Sequence, residues 1–97
     1  MATLVIGIGS MSREELNRMQ WAARRGMLEL DLVLEPFVRL RYERLGDSDR
    51  RQFQQLMQCE DQDLFGWLLQ RGAPDNKEHA AIVQQILEFT RTAPEDR

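Results

Sequence analysis

The 97-residue sequence lacks several features that would point directly to a function. Its single cysteine, Cys59, cannot form an internal disulfide, so the fold does not depend on an oxidising compartment. The net charge of -3 argues against a nucleic-acid binder, because phosphate contacts need a clustered excess of Lys and Arg. The apolar start at 2–8 is too short for a signal-peptide core or a membrane span and has no basic region before it. These absences favour a cytoplasmic protein, without membrane insertion, whose partner is a protein or a small ligand.

Residues that could carry catalysis are also scarce. His79 is the only histidine, and its charged and small neighbours indicate a solvated helix position. Cys59 has acidic neighbours, which raise a thiol pKa, so we expect an inert thiol. Asp61 and Asp63 are explained by the start of a helix, whose positive end acidic residues stabilise. With no phosphate-binding loop, dinucleotide fingerprint or metal-ligand cluster, the sequence predicts neither an enzyme nor a metal site.

The hydrophobic pattern predicts an all-α fold, a small bundle of five helices joined by short turns. A content of 42 % hydrophobic and 30 % charged residues fits one globular domain. We place that domain at 12–91, between a flexible tail at 1–11 and a frayed tail at 92–97.

Local signals set the expected limits of the helices. We expect the first helix to begin at a capping box of Ser12 and Glu15 and to end at Arg24 or Arg25, and the second to span 27–44. The segment 46–48 (Gly-Asp-Ser) should end the second helix and cap the third. The fourth should start at Glu60 and stop at Gly72 and Pro74, and a capping box of Asp75 and Glu78 should open the fifth. Pro36 lies inside the second helix, so a kink or short break is expected near Glu35.

The second predicted helix is the most apolar. Its apolar residues fall on two faces, with Leu30, Val33, Leu34 and Phe37 on one and Leu28 and Leu32 on nearly the opposite one. The alternating leucines would also suit a strand, but Val33 breaks the alternation, and Leu and Glu are good helix formers. Because a helix that is apolar on both sides belongs in the middle of a bundle, we expect this helix to be the most buried.

The junction between the first two helices has a structural explanation. Arg24 and Arg25 complement the negative end of the first helix, Gly26 supplies its left-handed cap, and Glu29 complements the start of the second helix. Trp21 lies about 140° around the helix from the apolar face. Two interpretations of Trp21 follow: an anchor on the surface, or a residue packed under a loop.

A longer stretch of sequence around this junction points to a known family. The run WAARRGMLELDL at 21–32 is followed by Pro36, Phe37, Tyr42 and the run DQDLFGWL at 61–68. This set resembles the SdhE family of succinate dehydrogenase assembly factors, whose RGxxE signature is intact at Arg25, Gly26 and Glu29. The resemblance extends over about residues 16 to 90.

The resemblance implies a five-helix assembly factor that binds the flavoprotein subunit of succinate dehydrogenase, and often of fumarate reductase. Such factors promote the covalent attachment of FAD to a histidine of that subunit. FAD is then the partner's cofactor, and the chain itself holds none tightly and is a monomer when free. Because such a factor only holds its partner in a reactive conformation, it needs no nucleophile or base of its own.

The resemblance also implies a partner-binding site. It consists of the signature residues and their neighbours: Arg25, Gly26, Glu29, Trp21, Arg24 and Asp31. Gly26 would let a partner backbone approach closely, while Arg25 and Glu29 would offer it a donor fork and an acceptor. Another interpretation stays open: a helical adaptor with a different client, including the antitoxin role with which some relatives are labelled.

Overall fold

The computed structural model describes residues 12–92. In this range five α-helices and one 3-10 turn follow one another, and no strand occurs. The elements are α1 (Arg13–Ala22), α2 (Leu28–Arg41), the 3-10 turn Tyr42–Arg44, α3 (Asp47–Leu56), α4 (Asp61–Leu68) and α5 (Lys77–Arg91). The predicted all-α fold of five helices is confirmed. The tail predicted at 1–11, and the one predicted at 92–97 beyond Thr92, lie outside the described residues, so the domain limits stay a prediction.

The core lies where α2 and α5 pack together. α3 packs against α5, α4 packs against α2 and α5, and α1 packs against α2. Phe37 of α2 is at its centre. Its ring stacks on Phe53 of α3 with centroids 5.6 Å apart and meets the ring of Phe89 of α5 edge-on at 5.5 Å. The apolar stripes expected on α3, α4 and α5 supply most of the remaining buried side chains, among them Leu56, Met57, Leu64, Leu68, Ile82, Val83 and Ile86.

α2 is covered on one side only, contrary to the prediction. Leu30, Leu34 and Phe37 are buried, but Leu28 and Leu32 are 69 % and 65 % exposed. α5 buries five residues and α2 buries four, so the expectation that α2 is the most buried helix is wrong. The physical reason is that the buried side chains of α2 all lie on the face that meets the other helices, and among residues 12–92 no element covers the outer leucines.

The start of α1 agrees with the sequence in part. The hydroxyl of Ser12 accepts a hydrogen bond from the backbone N–H of Glu15 at 3.0 Å, as expected of an N-cap. The carboxylate of Glu15 is engaged elsewhere, because its Oε2 accepts from the Tyr42 hydroxyl at 3.0 Å and from the Gln54 amide at 3.3 Å. These bonds tie α1 to the 3-10 turn and to α3.

The limits of α2, α3 and α4 lie close to their predicted positions. α2 is continuous across Pro36, so the alternative of a short break is wrong, and the 3-10 turn carries helical backbone on to Arg44. α4 begins after Glu60, as predicted, and α3 begins after Gly46, the first residue of the segment 46–48 that was expected to cap it.

The end of α4 comes earlier than the predicted stop at 72–74. Gln70 has a φ of 60°, in the left-handed region. The backbone N–H of Arg71 donates to the carbonyl of Gly66 at 2.7 Å, and that of Gln70 donates to the carbonyl of Trp67 at 3.2 Å. This pair of bonds is a Schellman motif, which here uses glutamine where glycine is usual.

α5 begins one residue later than predicted. Asn76, and not Asp75, is the N-cap, because its side-chain oxygen accepts from the backbone N–H groups of Glu78 at 2.8 Å and His79 at 3.0 Å. Asn and Asp cap helices about equally well, so two adjacent candidates are not separated by residue type.

Candidate protein-binding site

The turn between α1 and α2 requires glycine at position 26. Gly26 has a φ of +80°, which residues with a side chain rarely adopt. A Cβ atom at this position would meet nothing within 4 Å, so the backbone conformation alone demands glycine, and the space outside the turn is open. The predicted left-handed glycine is confirmed, but its place is different. α1 ends at Ala22 with Ala23 as its C-cap, and Gly26 lies three residues beyond that cap.

The side chain of Arg25 is bonded within the protein. Its Nε donates to Asp61 Oδ1 at 2.7 Å, its Nη1 to the carbonyls of Ala22 and Met57, both at 2.9 Å, and its Nη2 to the carbonyl of Cys59 at 2.8 Å. These bonds engage four of the five N–H groups of a guanidinium, and the side chain is only 15 % exposed. Arg25 therefore joins its own turn to the end of α3 and the start of α4.

Asp31 holds the same turn from α2. Its Oδ1 accepts a hydrogen bond from the backbone N–H of Arg25 at 2.8 Å, and the residue is half-buried. The sequence places Asp31 beside the signature but gives no sign of this bond. Arg25 is thus held by its backbone through Asp31 and by its side chain through Asp61.

Glu29, Trp21 and Arg24 point outward. Glu29 is exposed in the first turn of α2. Trp21 is 72 % exposed, so the interpretation as a surface residue is confirmed over packing under a loop. The guanidinium of Arg24 lies 5.5 Å from the centroid of the Trp21 ring, a cation–π contact. These two side chains and Gln20 line a shallow cavity of about 170 Å³.

Two leucines that were not assigned to the site are also exposed close to the signature in the sequence. Leu28 and Leu32 are four residues apart and lie on the same outer face of α2. Together with Trp21 they are the large hydrophobic residues that the described chain leaves exposed, and all three lie within 21–32. Sequence reasoning assigned the leucines to the core because periodicity shows that a face is apolar, not whether another element covers it. We call Trp21, Leu28, Glu29 and Leu32 the outer face.

Comparison with known proteins decides the family. A family model described as "Flavinator of succinate dehydrogenase" matches residues 17–90. The chain belongs to the SdhE family. The relative named FAD assembly factor SdhE from Pseudomonas savastanoi pv. phaseolicola is 51 % identical over 74 residues, 76 % of this chain and 88 % of that protein. Proteins of the same name from Pseudomonas aeruginosa and Aliivibrio fischeri are 49 % identical over 74 residues and 46 % identical over 77 residues, which cover 88 % and 90 % of those proteins.

In this SdhE-family chain the lone histidine and the lone cysteine lie together. His79 is half-buried, so the predicted solvated position is wrong, and its Nε2 is 3.6 Å from Cys59 Sγ. Its Nδ1 is buried and has no hydrogen-bond partner among residues 12–92. Burial raises the pKa of the Cys59 thiol, the charge of Asp63 raises it further, and Arg25 opposes the shift. The direction of this pKa shift agrees with the expected inert thiol, since a nucleophilic cysteine needs a lowered pKa.

No group of three or more His, Cys, Asp or Glu residues between 12 and 92 is arranged to hold a metal ion. No helix of that range is long and apolar enough to cross a membrane.

Proposed function

We propose that this chain binds the flavoprotein subunit of succinate dehydrogenase and promotes the covalent attachment of FAD to it. Membership of the SdhE family supports the proposal, because the family model is described as the flavinator of that enzyme and the relatives are named FAD assembly factors. The chain acts as a chaperone and leaves the chemistry to its client. FAD remains the client's cofactor, and the flavoprotein subunit of fumarate reductase is a second client. The place of action is the cytoplasm, which suits a fold with one free thiol and no disulfide.

The observation that carries the proposal is the exposure of Glu29 beside an open turn. Its side chain is exposed and makes no hydrogen bond with any described residue. The guanidinium of Arg25 is largely engaged within the protein, so Glu29 is the member of the signature that is free to accept a donor from a partner. The space outside Gly26 lets a partner backbone approach that carboxylate.

The hydrophobic part of the outer face supplies binding free energy beside this polar contact. Fully burying a large apolar side chain against a partner contributes roughly 1.5 to 3 kcal/mol. Trp21, Leu28 and Leu32 are each more than 60 % exposed, so most of that contribution is still to be gained when the chain is free. A chain that prefers one conformation of the flavoprotein shifts its population toward that conformation, where the client's own groups meet the flavin.

The test compares Glu29→Ala with Glu14→Ala, a matched control. Both glutamates are exposed and both lie in the first turn of a helix, where a carboxylate contributes only about 0.3 to 1 kcal/mol. Each variant is expressed in a strain that lacks its own factor, and covalent flavin on the dehydrogenase subunit is read as in-gel fluorescence. We expect Glu29→Ala to lose flavinylation, because an unpaired partner donor costs about 1 to 3 kcal/mol. Glu14→Ala should flavinylate like the unmodified chain.

Circular dichroism of both purified variants shows whether they fold. Full flavinylation by a folded Glu29→Ala variant would contradict the proposed site. If the unmodified chain itself restored no covalent flavin, an adaptor with another client would be the better interpretation. The same assay on the flavoprotein subunit of fumarate reductase tests the second client.

A further inference from the structure

We infer that Asp61 is a positioning residue for the partner-binding turn: its carboxylate holds Arg25 so that Gly26 and Glu29 are presented in one geometry. This inference rests on the proposed function, because the turn it describes is the one that meets the client. Asp61 lies outside the RGxxE signature and 36 residues from Arg25 along the chain.

The contact itself is a charge-assisted hydrogen bond. Arg25 Nε is 2.7 Å from Asp61 Oδ1, at the short end of the range for such pairs. The arginine side chain is 15 % exposed and that of the aspartate 40 % exposed, so the pair lies at the edge of the protein and is partly shielded from water. The carbonyls of Met57 and Cys59 accept from the same guanidinium, which places its head between the end of α3 and the start of α4.

The turn is open at position 26, where a Cβ atom would meet nothing within 4 Å, while Ala23 is buried before it and Met27 packs against the core after it. Two further restraints involve Arg25. On the α2 side the turn is held by the bond from the backbone N–H of Arg25 to Asp31. On the other side it is held by the Arg25 side chain, whose one ionic partner in residues 12–92 is Asp61. Loss of that partner leaves the guanidinium with neutral carbonyl acceptors only.

The position of Asp61 at the start of a helix does not by itself explain its bond to Arg25. Asp61 and Asp63 both lie in the first turn of α4, where the helix dipole stabilises either carboxylate. Only Asp61 bonds to Arg25, whereas Asp63 is exposed and has no side-chain hydrogen bond with a described residue. Asp63 therefore provides a control that matches Asp61 in charge, residue type and helix position.

The experiment compares Asp61→Ala, Asp61→Asn and Asp63→Ala in two measurements. The first is amide hydrogen exchange at Arg25 in the isolated protein, followed by NMR at a temperature where circular dichroism shows every variant folded. We expect exchange to be about tenfold faster in Asp61→Ala, the size of effect given by losing one hydrogen bond to a charged group, and unchanged in Asp63→Ala. Asp61→Asn keeps an oxygen that can accept from Nε but loses the charge, so its rate should fall between the two.

The second measurement titrates each variant against the purified flavoprotein subunit with FAD and records covalent flavin. If Asp61 acts by positioning the turn, the concentration needed for half-maximal flavinylation rises about tenfold in Asp61→Ala, while the plateau at saturation is kept. The half-maximal concentration for Asp61→Asn should lie between those of Asp61→Ala and Asp63→Ala, in the same order as the exchange rates. A general loss of stability would move the melting temperature without moving the half-maximal concentration well below that temperature.

The outcomes separate this inference from the proposed function. Asp61→Ala behaving like Asp63→Ala in both measurements overturns the inference, and the proposed function stands if Glu29→Ala still fails. If Glu29→Ala flavinylates fully, the proposed site fails, while the exchange rate at Arg25 still decides whether Asp61 orders the turn. If Asp61→Ala does not fold, Asp61→Asn takes its place in the comparison. Equal results for Asp61→Asn and Asp63→Ala in both measurements would then overturn the inference.

Discussion

Replacing Arg25 by alanine tests whether this signature residue belongs to the fold as well as to the interface. The change removes four hydrogen bonds from one cation: one to the carboxylate of Asp61 and three to backbone carbonyls. A hydrogen bond to a charged group contributes about 1.5 to 3 kcal/mol, but the four do not add. Asp61 is 40 % exposed, and water can replace part of what the acceptors lose. We therefore expect the free energy of unfolding to fall by about 2 to 4 kcal/mol.

For a domain of this size, each kcal/mol lowers the melting temperature by roughly 4 to 8 °C, so Arg25→Ala should melt about 8 to 32 °C lower. Arg24→Ala is the matched control, because it removes the same residue type one position earlier. Arg24 is exposed, and its contact with Trp21 contributes only about 0.5 kcal/mol, which corresponds to a shift under about 4 °C. Thermal unfolding followed by circular dichroism measures both. Equal melting temperatures for the two variants would refute the structural role assigned to Arg25.

Three further predictions concern the core, a buried hydroxyl and a helix end. Leu34→Ala, at a fully buried position, should lower the free energy of unfolding by roughly 2 to 5 kcal/mol in urea, and a loss under about 1 kcal/mol would show that the core is misassigned. Burial raises the pKa of Tyr42, the single tyrosine, to about 12, so the unfolded chain releases this proton first and stability should fall between about pH 10 and pH 12. The ultraviolet absorbance of the phenolate checks this, and Tyr42→Phe should lack that part of the alkaline loss. Gln70→Gly should raise the melting temperature slightly, because glycine adopts a positive φ without strain, and a lower melting temperature would contradict this.

The fold was predictable from the sequence because its signals are local. Ser12 caps α1 through a residue three positions away, and Leu34 falls on the buried face of α2 by helical periodicity alone. The predicted helix limits were wrong by one or two residues where neighbouring residues could each cap or end the helix. Asn76 caps α5 in place of Asp75, and Gln70 ends α4 before the glycine that was expected to do so.

The junction that carries the signature was predictable from the sequence, but the contacts of its residues were not. The signature drew attention to Arg25 and Glu29 alike, yet the acceptors that engage most of Arg25 are tertiary contacts 32 to 36 residues away. The exposure of Leu28 depends on which face of α2 the other helices cover, and the local sequence pattern does not predict which face that is. The contact between His79 and Cys59 arises in the same way, from the packing of α5 beside the end of α3.

The dependence of the turn on distant acceptors limits how the signature can be copied. A peptide covering 21–32 would contain the whole RGxxE signature and both outer leucines, yet it would lack the acceptors at Met57, Cys59 and Asp61. Contacts of such sequence separation form only once the intervening chain has folded. We therefore expect a chain whose α3 and α4 have not yet docked to hold this turn less firmly than the folded protein, with the local bond from Arg25 to Asp31 but without the distant acceptors. Inhibitors or grafts that imitate this surface would have to carry the scaffold as well as the motif.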